Sequence, residues 1–155
     1  MLRKATPLRR FMISDKMGDI MTLAEKIQLL EKECFSDPWS ITSVEAQLSG
    51  ENGICILHEE DGRAVGYVLG TSVCGEAELY RIAVIKEYRR RKIGEGLMKS
   101  FFEECNKRNC EKAFLEVRSR NSSAISLYEK SGFEKISVRK NYYGDDDAVI
   151  FVKNF

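Results

Sequence analysis

Apolar side chains recur along the first third of this chain at helical spacing. Between residues 18 and 34 they return every three or four positions, which predicts an amphipathic helix. The apolar positions of this helix are Ile20, Leu23, Ala24, Ile27, Leu30 and Cys34. The segment from Ser36 to Trp39 ends it, and either Ser40 or Thr42 is suited to cap a second, short helix through Leu48.

Beyond the second helix, β-rich runs alternate with helical ones. A turn from Glu59 to Gly62 separates two of these runs, and glycine in the turn predicts a β-hairpin. A long helix is predicted from the spacing of Ile93, Leu97, Met98, Phe101, Phe102 and Cys105. A further helix is predicted over residues 124–130. The predicted strands are 12–16, 54–58, 64–73, 77–84, 113–117, 133–138 and 148–152.

This order of elements predicts one domain of the mixed α/β (α+β) class. We expect a mostly antiparallel sheet flanked by helices, with one helical crossover that makes strands 77–84 and 113–117 parallel. Residues 12–155 are predicted to form the folded domain. Residues 1–11 form a basic leader whose lack of apolar periodicity is typical of disorder.

Composition narrows the class of protein. The chain has 155 residues, of which 43% are hydrophobic and 32% charged, a balance typical of a globular protein. No apolar run approaches the ~20 residues of a membrane-spanning helix. The basic N-terminus lacks the apolar stretch of a signal peptide, so we expect a cytoplasmic protein without a membrane partner.

Charge and metal-ligand residues exclude further classes. A net charge of +1 argues against a surface that coats nucleic acid, so no direct nucleic-acid partner is expected. There is one histidine, His58, and the five cysteines show no metal-binding spacing, so no metal is expected. The five thiols are predicted to be reduced. We expect a monomer or a weak dimer.

A basic turn between a predicted strand and a predicted helix is the most informative stretch. The strand ends at Val84, four basic residues occupy positions 89–92, and Gly94 and Gly96 open the helix. The first amides of a helix lack internal partners and bind anions where side chains do not block them. The alternative is a solvated basic helix start whose glycines only allow close packing. Rossmann and P-loop glycine patterns are absent.

This turn resembles motif A of the GNAT acetyltransferases, Gln/Arg-x-x-Gly-x-Gly/Ala. Two registers compete. One places Arg89 first, Lys92 at the family's first glycine and Gly94 last, and it keeps the helix hydrophobics in phase. The other is the literal match Arg91-x-x-Gly94-x-Gly96. We prefer the first, which requires the Lys92 side chain to point away from a bound diphosphate.

The resemblance continues beyond the turn and becomes more specific. Segments 78–84 and 115–133 are similar to the GNAT family, and the second is especially similar to RimI-type ribosomal-protein alanine N-acetyltransferases, as are segments 36–40 and 139–143. Together the similarity covers roughly residues 12–152. It implies acetyl-CoA as co-substrate. The residues implied to bind it are Ile82, Ala83, Val84, Arg89, Arg90, Arg91, Lys92, Ile93, Gly94, Glu95 and Asn121.

Within this resemblance, two side chains are implied to carry the chemistry. Glu116 is implied as the base, and its alternation with Leu115 and Val117 turns it away from the face that those two occupy. Tyr128 is implied to donate a proton to the leaving thiolate. From the residues alone, an exposed strand residue is the favoured interpretation of Glu116 and a core residue that of Tyr128, while Asn121 is equally suited to be a helix N-cap.

The acceptor implied by the resemblance is the N-terminal α-amino group of a protein, specifically the N-terminal alanine of a small-subunit ribosomal protein. Direct attack in a ternary complex is expected, although Cys74 leaves an acyl-enzyme route open. Trp39, Tyr142 and Tyr143 are candidates for the peptide groove. The alternatives are a lysine, polyamine or antibiotic amine as acceptor, a non-catalytic acyl-CoA-binding regulator, and an RNA-associated module.

Overall fold

A computed structural model describes residues 21–155. The predicted leader at 1–11, the predicted strand at 12–16 and the start of the helix predicted from residue 18 lie outside the described residues. Within them, helix α1 runs from Leu23 to Cys34, and Met21 and Thr22 precede it. The Thr22 hydroxyl accepts the amide of Glu25, whose carboxylate accepts the amide of Thr22. This capping box fixes the helix start, a signal that apolar spacing alone does not contain.

Helix α2 runs from Ile41 to Ser49 and confirms the predicted second helix. Of the two candidate caps, the structure selects Ser40, whose hydroxyl accepts the amide of Ser43 at 3.1 Å. Thr42 lies within the first turn. Residues 35–39 therefore lie between the end of α1 and the Ser40 cap, and we call them the α1–α2 loop.

Six strands form one sheet in the order β1-β2-β3-β4-β6-β5. All neighbours are antiparallel except β3 and β4, which are parallel, as predicted. The long helix α3, Ile93–Lys107, makes the crossover between them, and α4, Ser122–Lys130, follows β4. The strands are β1 Gly53–Glu60, β2 Arg63–Val73, β3 Glu76–Val84, β4 Lys112–Arg118, β5 Glu134–Arg139 and β6 Ala148–Asn154.

The predicted hairpin joins β1 and β2, with a shorter turn than expected. Glu59 and Glu60 belong to β1, so only Asp61 and Gly62 form the turn. Both have positive φ, 49° and 80°. Two successive left-handed residues are the mark of a type I′ turn, for which Asp-Gly is a preferred pair.

The two faces of the sheet carry different helices. Gly66 and Gly70 of β2 face α3 so closely that a Cβ would lie 3.1 Å from Leu97 and 2.9 Å from Phe101, respectively. The intervening Tyr67 points to the opposite face, where its hydroxyl bonds Glu31 of α1. We call these the α3 face and the α1 face. None of the helices within residues 21–155 is long and apolar enough to cross a membrane.

Candidate active site

A bulge in β3 opens the sheet between β3 and β4. The pairing of β2 with β3 passes from Leu69 opposite Arg81 to Gly70 opposite Leu79, so Tyr80 is an extra residue on β3. On its other side, β3 pairs with β4 only from Glu76 to Leu79. Beyond the bulge, β3 therefore runs free of β4, and we call the gap between them the wedge.

The backbone of β3 presents hydrogen-bonding groups to the wedge at alternate residues. The amide of Ile85 donates to the carbonyl of Val65 in β2 at 2.9 Å. Because backbone groups alternate in direction along a strand, Ala83 also faces β2, whereas Ile82 and Val84 point theirs into the wedge. Of the three residues implied to pair with the cofactor, only these two have backbone groups on its side. The Val84 carbonyl accepts the Arg89 guanidinium Nε at 2.8 Å.

The start of α3 lies just beyond the free end of β3. Arg90 and Lys92 have left-handed backbones, with φ of 62° and 61°. The first amide that bonds back to Lys92 is that of Gly96, at 3.1 Å. The amides of residues 93–95 thus precede the first helical bond and are the groups that bind anions. This geometry favours the register that places Lys92 at the glycine position, because a left-handed backbone favours glycine.

Four basic residues directly precede these amides in sequence. Arg89, Arg90, Arg91 and Lys92 are all exposed, and the three arginines are the side chains expected to meet a polyanion. The Arg91 guanidinium lies over the ring of Tyr88 at 4.7 Å and 3.8 Å from a carboxylate oxygen of Glu60. Such exposed contacts are weak, so this side chain is readily redirected toward a phosphate.

The start of α4 packs beside the start of α3. A Cβ on Gly94 would lie 3.5 Å from Leu127 Cδ2, so a small residue there brings the two helices together. Asn121 caps α4 by accepting the amide of Ala124 at 3.2 Å. The N-cap interpretation of Asn121 is confirmed, and its contact with a cofactor stays a prediction.

Glu116 projects from β4 on the α1 face, as its alternation with Leu115 predicts. The pairing of Leu79 with Leu115 places Leu115 on the α3 face. The Glu116 side chain is 29% exposed, and its Oε1 lies 3.0 Å from a guanidinium nitrogen of Arg139. Partial burial, and then the charge of Glu116, raise the pKa of Glu78, which shows that the two carboxylates are close.

Tyr128 is a core residue, 6% exposed, between the rings of Phe133 at 6.0 Å and Phe151 at 6.3 Å. Burial raises its pKa well above the ordinary value, with a smaller contribution from Tyr143. The phenol therefore keeps its proton throughout the neutral range, as a proton donor requires. The core interpretation is confirmed, and the catalytic one stays a prediction.

The three candidates for the peptide groove lie in two loops. Trp39, in the α1–α2 loop, is half-buried with its ring 6.0 Å from that of the bulged Tyr80. Tyr143, in the loop between β5 and β6, is half-buried beneath the Arg118 guanidinium at 4.2 Å. Tyr142 beside it is 53% exposed.

Cys74 is removed from this region. It lies in the turn between β2 and β3, beside Gly75, at the end of β3 opposite the wedge. Seven residues of extended chain separate Gly75 from Ile82, which is about 20 Å at ~3.3 Å per residue. Cys74, the candidate for an acyl-enzyme route, therefore lies far from the wedge.

Sequence reasoning missed a charged pair beside the bulge. Arg81 of β3 lies next to Glu31 of α1, with Nε 3.6 Å from Oε1. Glu31 is completely buried and Arg81 has a side chain only 15% exposed. Glu31 lies among the apolar positions of α1. A charged residue that interrupts this hydrophobic spacing was the one signal by which the sequence could have indicated a buried pair.

Comparison with known proteins agrees with this geometry. The family model described as the acetyltransferase (GNAT) family matches residues 24–133. The ribosomal protein bS18-alanine N-acetyltransferase of Escherichia coli strain K12 is 34% identical over 125 residues, 78% of this chain and 84% of that protein. The enzyme of the same name from Salmonella typhimurium is 33% identical over the same shares. The crystal structure of the Escherichia coli ribosomal-protein-S18-alanine N-acetyltransferase superposes with a TM-score of 0.79 and 30% identity, covering 84% of this chain and 86% of that one.

Proposed function

This chain belongs to the GNAT acetyltransferase family, and we propose that it acetylates the N-terminal α-amino group of a protein. It is an acetyl-CoA-dependent N-acetyltransferase. The proposed acceptor is the N-terminal alanine of a small-subunit ribosomal protein, because relatives at 33–34% identity carry that activity in their names. The acceptor is thus inferred from similarity, and the chemistry from the wedge.

The wedge is the observation that carries the proposal. Ile82 offers a strand-like N–H and C=O, and Val84 its N–H, to a chain that carries amides of its own, while the Val84 carbonyl already accepts the Arg89 guanidinium. The free amides of residues 93–95 and the basic residues 89–92 lie where such a chain would reach with a diphosphate. Acetyl-CoA is such a chain, because it carries amides, a diphosphate and, at its end, the acetyl thioester. The backbone of the wedge and the start of α3 therefore fit acetyl-CoA.

The acid and base roles follow from the surroundings of the two side chains. A protein α-amino group has a reference pKa of about 7.7–8.0, against about 10.4 for lysine, so it loses its proton more readily near neutral pH. We assign to Glu116, which is partly exposed on the α1 face, the removal of that proton. Tyr128, protonated by virtue of burial, is assigned to protonate the leaving thiolate.

Direct transfer from cofactor to amine is the route that this arrangement supports. The proposed base and the proposed acid lie on β4 and on α4, the helix that follows it, while the cofactor-binding amides open α3. Cys74 is about 20 Å from the wedge along β3 and is not positioned to accept the acetyl group. Acceptor and acetyl-CoA must then be bound together.

The proposal is tested by mass spectrometry of acceptor peptides incubated with the protein and acetyl-CoA. The panel contains peptides that differ only in the first residue, the same peptides with a blocked N-terminus and an internal lysine, and spermidine. We expect acetylation of free N-termini, fastest for alanine, and none of the blocked peptides. Acetylation of only lysine or spermidine would contradict the proposed acceptor, and coenzyme A binding without any acetylation would indicate a regulator.

The role of Glu116 is tested in the same assay with Glu116→Gln. This variant should lose ~10²-fold or more in turnover, the usual contribution of a positioned base, while its affinity for coenzyme A stays nearly unchanged. Glu134→Gln, on the exposed edge strand β5, is the matched control and should behave as wild type. Unchanged turnover in Glu116→Gln would remove Glu116 from the mechanism.

A further inference from the structure

Glu31 is a buried carboxylate that ties three separate elements together. Its Oε2 accepts the backbone amide of Trp39 at 2.8 Å, and its Oε1 accepts the hydroxyl of Tyr67 from β2. The guanidinium of Arg81 lies 3.6 Å from the same Oε1. A buried carboxylate is tolerated when it is paired and hydrogen-bonded; here each oxygen accepts one hydrogen bond and Arg81 is the counter-charge.

Arg81 extends the network to the other end of the α1–α2 loop. Its Nη2 donates to the carbonyl of Asp37 at 2.9 Å, and Nη1 lies 3.8 Å from the Asp37 carboxylate. The guanidinium plane lies over Phe35 at 4.1 Å and near Trp39 at 5.8 Å. Three of the five loop residues are therefore held by one planar side chain, a geometry that lysine cannot reproduce.

The network fastens this loop to the part of β3 that borders the wedge. Arg81 directly follows the bulged Tyr80 and directly precedes Ile82. It shares the α1 face with Glu116. Burial raises the pKa of Tyr143 and the charge of Glu116 raises it further, whereas the charge of Arg81 has a smaller, lowering effect. The α1–α2 loop and the loop that carries Tyr143 thus both border the region in front of Glu116.

We propose that Arg81 and Glu31 are positioning residues for the acceptor peptide, holding the α1–α2 loop as one wall of the acceptor groove. This role rests on the proposed function, because it requires an acceptor that extends beyond its amine. Arg81 acts through Trp39 and its neighbours rather than on the reacting atoms. Acetyl-CoA is proposed to bind in the wedge and at the start of α3 rather than on this loop, so its KM should be indifferent to the loop.

The chain provides its own probe of this wall, since Trp39 is its single tryptophan. Arg81→Lys keeps a positive charge beside Glu31, so the fold is retained, but it loses the fork that holds Asp37. We expect the Trp39 emission to shift to the red and to be quenched more strongly by acrylamide. We also expect the KM for an alanine peptide to rise about tenfold, with the KM for acetyl-CoA unchanged, as for one lost charged hydrogen bond.

Arg108→Lys is the matched control. Arg108 makes a comparable set of bonds at the far end of the sheet, to the carbonyls of Asn52 at 3.1 Å and Gly53 at 2.9 Å. Its replacement should lower stability to urea but leave the Trp39 emission and the peptide KM at wild-type values. Tyr67→Phe removes one bond to Glu31 without changing charge and should give a smaller rise in peptide KM than Arg81→Lys.

The possible results are distinguishable. If Arg81→Lys acetylates peptides with an unchanged peptide KM, or shows an unchanged Trp39 emission, the positioning role alone is overturned. A similar rise in peptide KM in Arg108→Lys would also overturn it, because the effect would then be one of general stability. A wild type that acetylates only small amines would overturn the proposed function, and the positioning role with it.

Discussion

Lys92 provides the sharpest test of how the anion-binding turn is built. Its backbone is left-handed, with φ of 61° and ψ of 17°, at the residue that precedes α3. This conformation costs an L-residue ~1–2 kcal/mol because Cβ crowds the following carbonyl. Glycine removes that cost, but the greater freedom of the unfolded chain takes back ~0.4–1 kcal/mol. Lys92→Gly should therefore raise the free energy of unfolding by about 0.5–1 kcal/mol.

Lys92→Ala separates the effect of the backbone conformation on stability from the effect of the side-chain charge. Alanine also removes the charge, which is exposed and forms no ion pair with any of residues 21–155, but it keeps Cβ. The alanine variant should be as stable as wild type. The glycine variant should therefore exceed the alanine variant by the full increase in the free energy of unfolding. Urea unfolding followed by circular dichroism measures this as a shift in midpoint at constant slope, and heating should show a rise in Tm of about 2 °C.

Two results would refute this reasoning. If the glycine variant is no more stable than the alanine variant, the backbone at Lys92 is not left-handed, and the preferred motif register loses its support. Calorimetric titration with coenzyme A should give similar affinities for wild type and both variants, because the Lys92 side chain is expected to point away from the diphosphate. A tenfold or larger loss in both variants would place the ammonium among the binding groups.

Three further predictions concern the proposed acid Tyr128, the glycine opposite the bulge and the N-cap of α4. Tyr128→Phe should lower turnover by ~10²-fold and leave the affinity for coenzyme A unchanged. Because burial raises the pKa of Tyr128 and keeps the phenol protonated, wild-type turnover should not fall up to pH 10. A fall in turnover near pH 8 would argue against Tyr128 as the acid. Gly70→Ala should lower the free energy of unfolding in urea by ~1–3 kcal/mol, because its Cβ would lie 2.5 Å from the Glu78 carbonyl oxygen. Gly50→Ala is the control and should be nearly neutral, because its Cβ would lie 3.8 Å from the nearest carbonyl oxygen. Asn121→Ala should lower the free energy of unfolding by about 1 kcal/mol because the helix cap is lost, and Asn121→Ser should restore it. If the affinity for coenzyme A is low in both variants, Asn121 also contacts the cofactor.

The elements that the sequence predicted are those specified by neighbouring residues. The apolar face of α3 follows from a repeat within fifteen residues, and Ser40 and Gly62 act on their immediate surroundings. The crossover from β3 to β4 followed from a helix between two strands, since parallel neighbours need such a connection. Strand ends differed from prediction by one or two residues, because pairing with a neighbour rather than composition decides where a strand stops.

The missed features depend on contacts between distant segments. Glu31 and Arg81 are fifty positions apart, and no local pattern indicates that they meet. The same holds for Arg139 and Glu116, which come together only because β6 lies between β4 and β5. Their partners could be named only once the sheet order was known.

The bulge at Tyr80 links the two halves of the site. Side chains alternate along a strand, so without the extra residue Arg81 would share the α3 face with Leu79 and lie beneath the helix. With it, Arg81 turns to the α1 face and reaches Glu31. The same extra residue ends the pairing with β4 and frees the backbone of Ile82 and Val84. A single inserted residue therefore creates the proposed cofactor edge and anchors the proposed acceptor wall beside it, so one strand would serve both substrates.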